Sequence, residues 1–103
     1  MLPKILPSQD VAISDVRPYT TQLRQHNRQQ RRKLKKLLTT FGQIVPIIID
    51  KANVILDGHL VREVLLEMGH KAIKVVRVEG LSEPEYRALR LALNRLAQDA
   101  VWD

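Results

Sequence analysis

Pro46-Ile47-Ile48-Ile49-Asp50-Lys51-Ala52-Asn53-Val54-Ile55-Leu56-Asp57-Gly58-His59-Leu60-Val61-Arg62 is the stretch on which the fold turns. Residues 46–50 are a nearly continuous apolar, β-branched run, the pattern of a buried strand. Lys51-Ala52-Asn53 reads as a turn and Val54–Asp57 as a second short strand, so 46–57 is a hairpin. Gly58 then opens a helix over 59–68. Val61, Val64, Leu65 and Met68 form its inner face, and Gly69 stands where such a helix stops.

The same reading extends to both sides. Upstream, residues 11–15 read as a strand, and Pro18 disfavours both helix and ladder just after it. Asn27 is a good N-cap for a helix over 28–41, and Gly42 is its stop. Leu34, Leu37, Leu38 and Phe41 recur at i, i+3, i+4 and i+7, which predicts one inward face. Downstream, Ala72–Val78 reads as a third sheet element. Ser82 and Glu85 bracket a capping box that opens a helix over 83–98, with Tyr86, Leu89, Leu93 and Leu96 inward. Residues 1–10 hold Pro3 and Pro7 and are expected as a flexible arm; 11–103 form one domain. Short strands broken by three covering helices define an α+β class.

With 103 residues and 45% hydrophobic content, the chain suits a single packed domain. A core of this size lies near the small end of self-sufficiency, so a homodimer is an expected partner arrangement. There is no cysteine, which excludes disulfides, thiolate zinc sites, iron–sulfur clusters and a cysteine nucleophile. No apolar run approaches the ~20 residues of a membrane span. The first ten residues also lack the apolar stretch of a signal peptide. The expected location is the cytoplasm, with no membrane partner.

The net charge of +6 is unevenly spread. Lys4 and Arg17 balance Asp10 and Asp15 in residues 1–23, and residues 37–103 hold eight basic and nine acidic residues. The excess therefore comes from residues 24–36. Arg24, Arg28, Arg31, Arg32, Lys33, Lys35 and Lys36 stand there with no acid among them, and His26 lies in the same stretch. Without glutamates to pair at i,i+4, this segment reads either as a solvated face or as a docking stripe for a polyanion such as DNA.

The strand–Gly58–helix junction also has two readings. The first N–H groups of the helix are unpaired and sit at the positive dipole end, a natural phosphate site that Gly58 leaves open. His59 and Arg62, in the first turn, would close on the same anion. In the other reading Gly58 makes only a tight turn and His59 is a surface side chain. Asp57, His59 and Glu63 are weak candidates for acid–base chemistry; turn and solvated-helix roles account for them as well. His26, His59 and His70 lie on separate elements without ligand spacing, so no metal site is expected.

Val16-Arg17-Pro18-Tyr19, Arg24-Gln25-His26, Phe41-Gly42-Gln43, Val45–Asp50, Ile55–His59, Met68-Gly69, Arg90–Leu96 and Trp102-Asp103 follow one another in an order that resembles the ParB N-terminal domain family. That family is also called ParB-like nuclease domains and shares a fold with sulfiredoxin. The resemblance covers residues 11–103 and is closest to the branch at the N-terminus of DNA-modification methyltransferases. It implies a small mixed sheet under about three helices, a methyltransferase domain as partner, and CTP or ATP with magnesium at the Gly58 helix start. One position departs from the pattern. The family's arginine three residues after the glycine is Val61 here, and Arg62 lies about 100° further around the helix. The sulfiredoxin cysteine is also missing, which excludes that reductase chemistry, and nothing resembles a two-metal nuclease centre.

The expected function is a DNA-associated module, not catalytic by itself, that serves a DNA-modification or partition-type system. The nucleic-acid stripe is Arg24, His26, Arg28, Arg31, Arg32, Lys33, Lys35 and Lys36; the phosphate site is Gly58, His59 and Arg62. Two alternatives stand beside it: a nucleotide hydrolase, kinase or nuclease of the same fold, and a protein-interaction domain.

Overall fold

The computed structural model describes residues 2–19 and 28–99. In chain order the elements are β1 (Lys4–Ile5), β2 (Gln9–Ala12), a 3-10 turn (Ile13–Asp15), α1 (Arg28–Phe41), β3 (Ile47–Ile49), β4 (Ile55–Asp57), α2 (His59–Glu67), β5 (Ala72–Glu79) and α3 (Glu83–Asp99). β5 is the hub of the sheet: β3 runs parallel to it on one side, with Ile47 opposite Val75, and β1 and β2 run antiparallel on the other. β4 completes the expected hairpin with β3. The result is the small mixed α+β sheet.

Residues 1–10, expected as an arm without regular structure, contribute β1 and the start of β2. Ile5 pairs with Val78 and Gln9 with Val75, so Leu6, Pro7 and Ser8 face only Val76 and Arg77. The extra residue is a bulge, and proline, which has no N–H to give to the ladder, is tolerated there. The strand predicted over 11–15 ends at Ala12, and the chain turns inward to bury Ile13 and Val16.

Alternation along the strands divides the core. Ile47 and Ile49 of β3, Ile55 of β4, and Ile73 and Val75 of β5 face α1 and α2, and pack with Leu38, Val64 and Leu65. Ile48, Leu56 and Val78 face the other way, onto Tyr86, Leu89 and Leu93 of α3. The capping box forms as expected: the Ser82 N–H donates to Glu85 Oε1 at 2.8 Å and the Glu85 N–H to Ser82 Oγ at 3.3 Å. Ser82 holds the Glu85 carboxyl below its ordinary value.

Two inward faces are narrower than predicted. Leu34 and Leu38 meet the core, but Leu37 and Phe41 are 48% and 65% exposed. On α3, Leu96 is exposed, while Arg90, between Leu89 and Leu93, is buried. Helix α1 touches α2 along one edge, so its apolar stripe is wider than its contact. Asn27, Trp102 and Asp103 lie outside the described residues.

Candidate functional site

The junction at Gly58 forms as the sequence predicts. Gly58 has φ +107° and ends β4 against the first turn of α2. A Cβ placed there would lie 3.1 Å from Ile47 Cγ1. The glycine is therefore needed for close approach to β3, whatever it binds. The Gly58 N–H is bonded to the Asp57 carboxylate, and half-burial pushes the Asp57 carboxyl above its ordinary value against the effect of that bond.

Residues 16–19 lie across this junction. The Arg17 N–H donates to Asn53 O at 2.8 Å, and the Ile55 N–H to Arg17 O at 2.9 Å. Arg62 Nε donates to Val16 O at 3.1 Å, and the Tyr19 N–H to His59 Nε2 at 3.2 Å. His59, Arg62 and Glu63 thus line one small pocket with Pro18 and Ile55. Val61 packs against the core instead.

These residues offer little to hold a nucleoside triphosphate. The helix start supplies N–H groups and one guanidinium, whose Nε is already bonded to Val16 O. The Glu63 carboxylate that lines the same pocket is paired with Arg31 at 2.9 Å and adds no cation for a phosphate. Among the described residues no group of three histidine, aspartate or glutamate side chains comes together to hold a metal ion.

A tie that the sequence reading missed lies beside this pocket. Arg90, 6% exposed, donates from Nε to Ile55 O at 3.1 Å. Its Nη2 stands 3.6 Å from Asp50 Oδ2, and its guanidinium lies 3.8 Å from the Tyr19 ring centroid. Asp50 Oδ1 accepts the N–H groups of Ala52 and Val54, which fixes the hairpin turn. Arg90 therefore joins α3, the β3–β4 turn and the 16–19 segment. The available signal was its spacing: it sits four residues after Tyr86 and three before Leu93, within an apolar stripe.

On α1, Arg28, Arg32, Lys33, Lys35 and Lys36 are exposed, with no acid in the helix. At 100° per residue Arg28, Arg32, Lys35 and Lys36 share one side. Arg31 corrects the expected stripe: its two Nη atoms bond Glu63 and Glu67 of α2, each at 2.9 Å. Glu67 and Glu63 raise its pKa further, and the side chain fastens α1 to α2. Arg24 and His26 lie outside the described residues.

No family model matches the chain, and no curated protein matches it. Solved structures do. A pNOB8-like ParB N-domain aligns over 98% of this chain with TM-score 0.75 and 20% identity. Another form of that domain aligns over 95% with TM-score 0.71 and 22% identity. This is the ParB/sulfiredoxin-like fold. The chromosome-partitioning protein ParB of Caulobacter crescentus, solved with CTP-γ-S, aligns over 93% with TM-score 0.72 and 16% identity. Sulfiredoxin of Arabidopsis thaliana aligns over 82% with TM-score 0.70 and 15% identity. The chain spans 38%, 48% and 56% of these three ParB structures, in the order named, and 97% of the sulfiredoxin chain. Among the described residues no helix is long and apolar enough to cross a membrane.

Proposed function

We propose that this chain is a DNA-associated module of the ParB/sulfiredoxin-like fold, which docks on the phosphate backbone through the outer side of α1. The observation that carries this is the exposure of Arg28, Arg32, Lys33, Lys35 and Lys36 on a helix without an acid. Those side chains are long and flexible, suited to phosphates rather than to base edges. The Caulobacter crescentus neighbour is a chromosome-partitioning protein, which supports a partition-type system. The neighbours named above give no support to a methyltransferase partner. If three or four cations reach phosphates, log K against log salt should have a slope of about −3. Arg32→Ala should weaken binding to every duplex alike, whereas Arg31→Ala should leave it nearly unchanged because Glu63 and Glu67 hold that side chain. Salt-independent binding, or equal losses for both variants, contradicts the proposal.

Nucleotide binding at α2 is the second reading. It is supported by the CTP-γ-S complex of a protein of the same fold, and the bond from Arg62 Nε to Val16 O weighs against it. Calorimetric titration with CTP, ATP and ADP in magnesium decides between them; heat that disappears in Arg62→Ala restores the nucleotide reading.

A further inference from the structure

The cationic side of α1 is not its whole free surface. Leu37 and Phe41, four residues apart and therefore neighbours on the helix, are 48% and 65% exposed. Ile44 and Val45, in the segment that follows, are 66% and 67% exposed. These four large apolar residues fall within nine positions, and the backbone beneath them is fastened. The Gly42 N–H donates to Leu38 O at 2.8 Å, closing the helix. Gln43 then imitates a strand residue: its Nε2 donates to Lys74 O at 2.9 Å and its Oε1 accepts the Lys74 N–H at 2.8 Å. The apolar side chains are thus displayed by held elements. Exposed apolar patches on otherwise soluble domains mark interaction sites.

The rim is basic. Lys33 lies one turn before Leu37 on the same flank, and Lys36 stands next to it in the chain. A second copy would bring the same lysines to the contact and set cation against cation. An acidic edge on the partner complements them. The surface is divided between a helix flank and an extended segment, which suits side-chain packing against another folded element.

We propose that Leu37, Phe41, Ile44 and Val45 form a docking face for another protein, through an amphipathic helix with an apolar stripe flanked by aspartate or glutamate. The four apolar residues lie off the side that carries Arg28, Arg32 and Lys35, and the two faces share only the Lys33 and Lys36 rim.

The test is an NMR titration of the isotope-labelled chain with a designed helical peptide, leucines on one stripe and glutamates beside it. Shifts should concentrate on Lys33, Leu37, Phe41, Ile44 and Val45. The double variant Phe41→Ser, Ile44→Ser should weaken binding about tenfold or more. Lys33→Ala with Lys36→Ala should weaken it a few-fold and flatten its salt dependence. Arg28→Ala with Arg32→Ala should leave it unchanged even where DNA binding is lost, which separates this proposal from the DNA reading. Phe41 and Ile44 are exposed, and an unchanged circular dichroism spectrum confirms that the double variant folds. Absence of peptide binding, equal binding of a lysine-flanked control, concentration-dependent self-association that Phe41→Ser abolishes, or preference for anionic vesicles over the peptide would each overturn it.

Discussion

Replacing Arg90 with methionine keeps much of the side chain's length and removes three interactions at once. The ion pair with Asp50, at 3.6 Å, has a gross attraction of about 4 kcal/mol at the effective dielectric of protein sites. Desolvation of both groups cancels most of that. The hydrogen bond to Ile55 O contributes about 1–2 kcal/mol and the stack on Tyr19 about 1 kcal/mol. Removing one partner of a buried pair costs ~3–5 kcal/mol when the other is left bare. Asp50 is not left bare, because the N–H groups of Ala52 and Val54 remain on Oδ1. The expected loss is therefore about 2–3 kcal/mol. Guanidinium unfolding followed by circular dichroism measures it, and melting should fall by roughly 10–20 °C in a domain of this size. A cycle with Asp50→Asn should show coupling of about 1–2 kcal/mol. Hydrogen exchange at the Tyr19 N–H should also accelerate, since the ring loses its support. A loss below about 0.5 kcal/mol, or no coupling with Asp50, refutes the claim that Arg90 ties these three elements together.

Gly58→Ala should destabilise the fold by about 2 kcal/mol or more in the same unfolding assay, from the positive φ and the contact with Ile47; an unchanged midpoint would leave only a ligand to explain the glycine. Asp57→Asn tests the raised carboxyl. The folded chain holds that proton more tightly than the unfolded one, so the native carboxylate costs stability as pH rises through and above the carboxyl's ordinary value. The variant's stability relative to the parent should therefore rise from acid to neutral pH, and a flat difference contradicts it. Ser82→Ala should lower the melting temperature through a cap loss of about 1 kcal/mol. The Glu85 carboxyl is lowered by Ser82, so the box's contribution is present above Glu85's unfolded pKa and is lost as pH falls through its folded one; melting curves in acid check this.

Features fixed by local chemistry were readable in the sequence. The triple isoleucine, the hairpin turn, Gly58, Gly69 and the Ser82–Glu85 box state their structure within a few residues. What was not readable depends on a distant partner. β1 has two residues and no pattern of its own; it exists because β5 offers Val78 and Glu79. Leu37 and Phe41 repeat at core spacing, yet α2 meets only the Leu34–Leu38 edge of their helix. Arg31 and Glu63 looked like members of two different sites, and only the fold brings them together as an ion pair. His59 and Arg62 are neighbours by helical spacing, but the segment 16–19 that bonds to both was visible only in three dimensions.

β5 accepts strands on both edges, from residues 4–12 on one side and 47–49 on the other, yet it comes late, at residues 72–79. During synthesis the first seventy residues therefore emerge with no strand to close the sheet. α1, α2 and the short hairpin can form locally, but their shared core waits for a segment far along the chain. Sequence separations of this kind slow folding, because the entropy of closing the loop is lost before the contacts reward it. Folding should thus be committed only when β5 has left the ribosome, with the two N-terminal strands adding last along an edge that β5 has just made available.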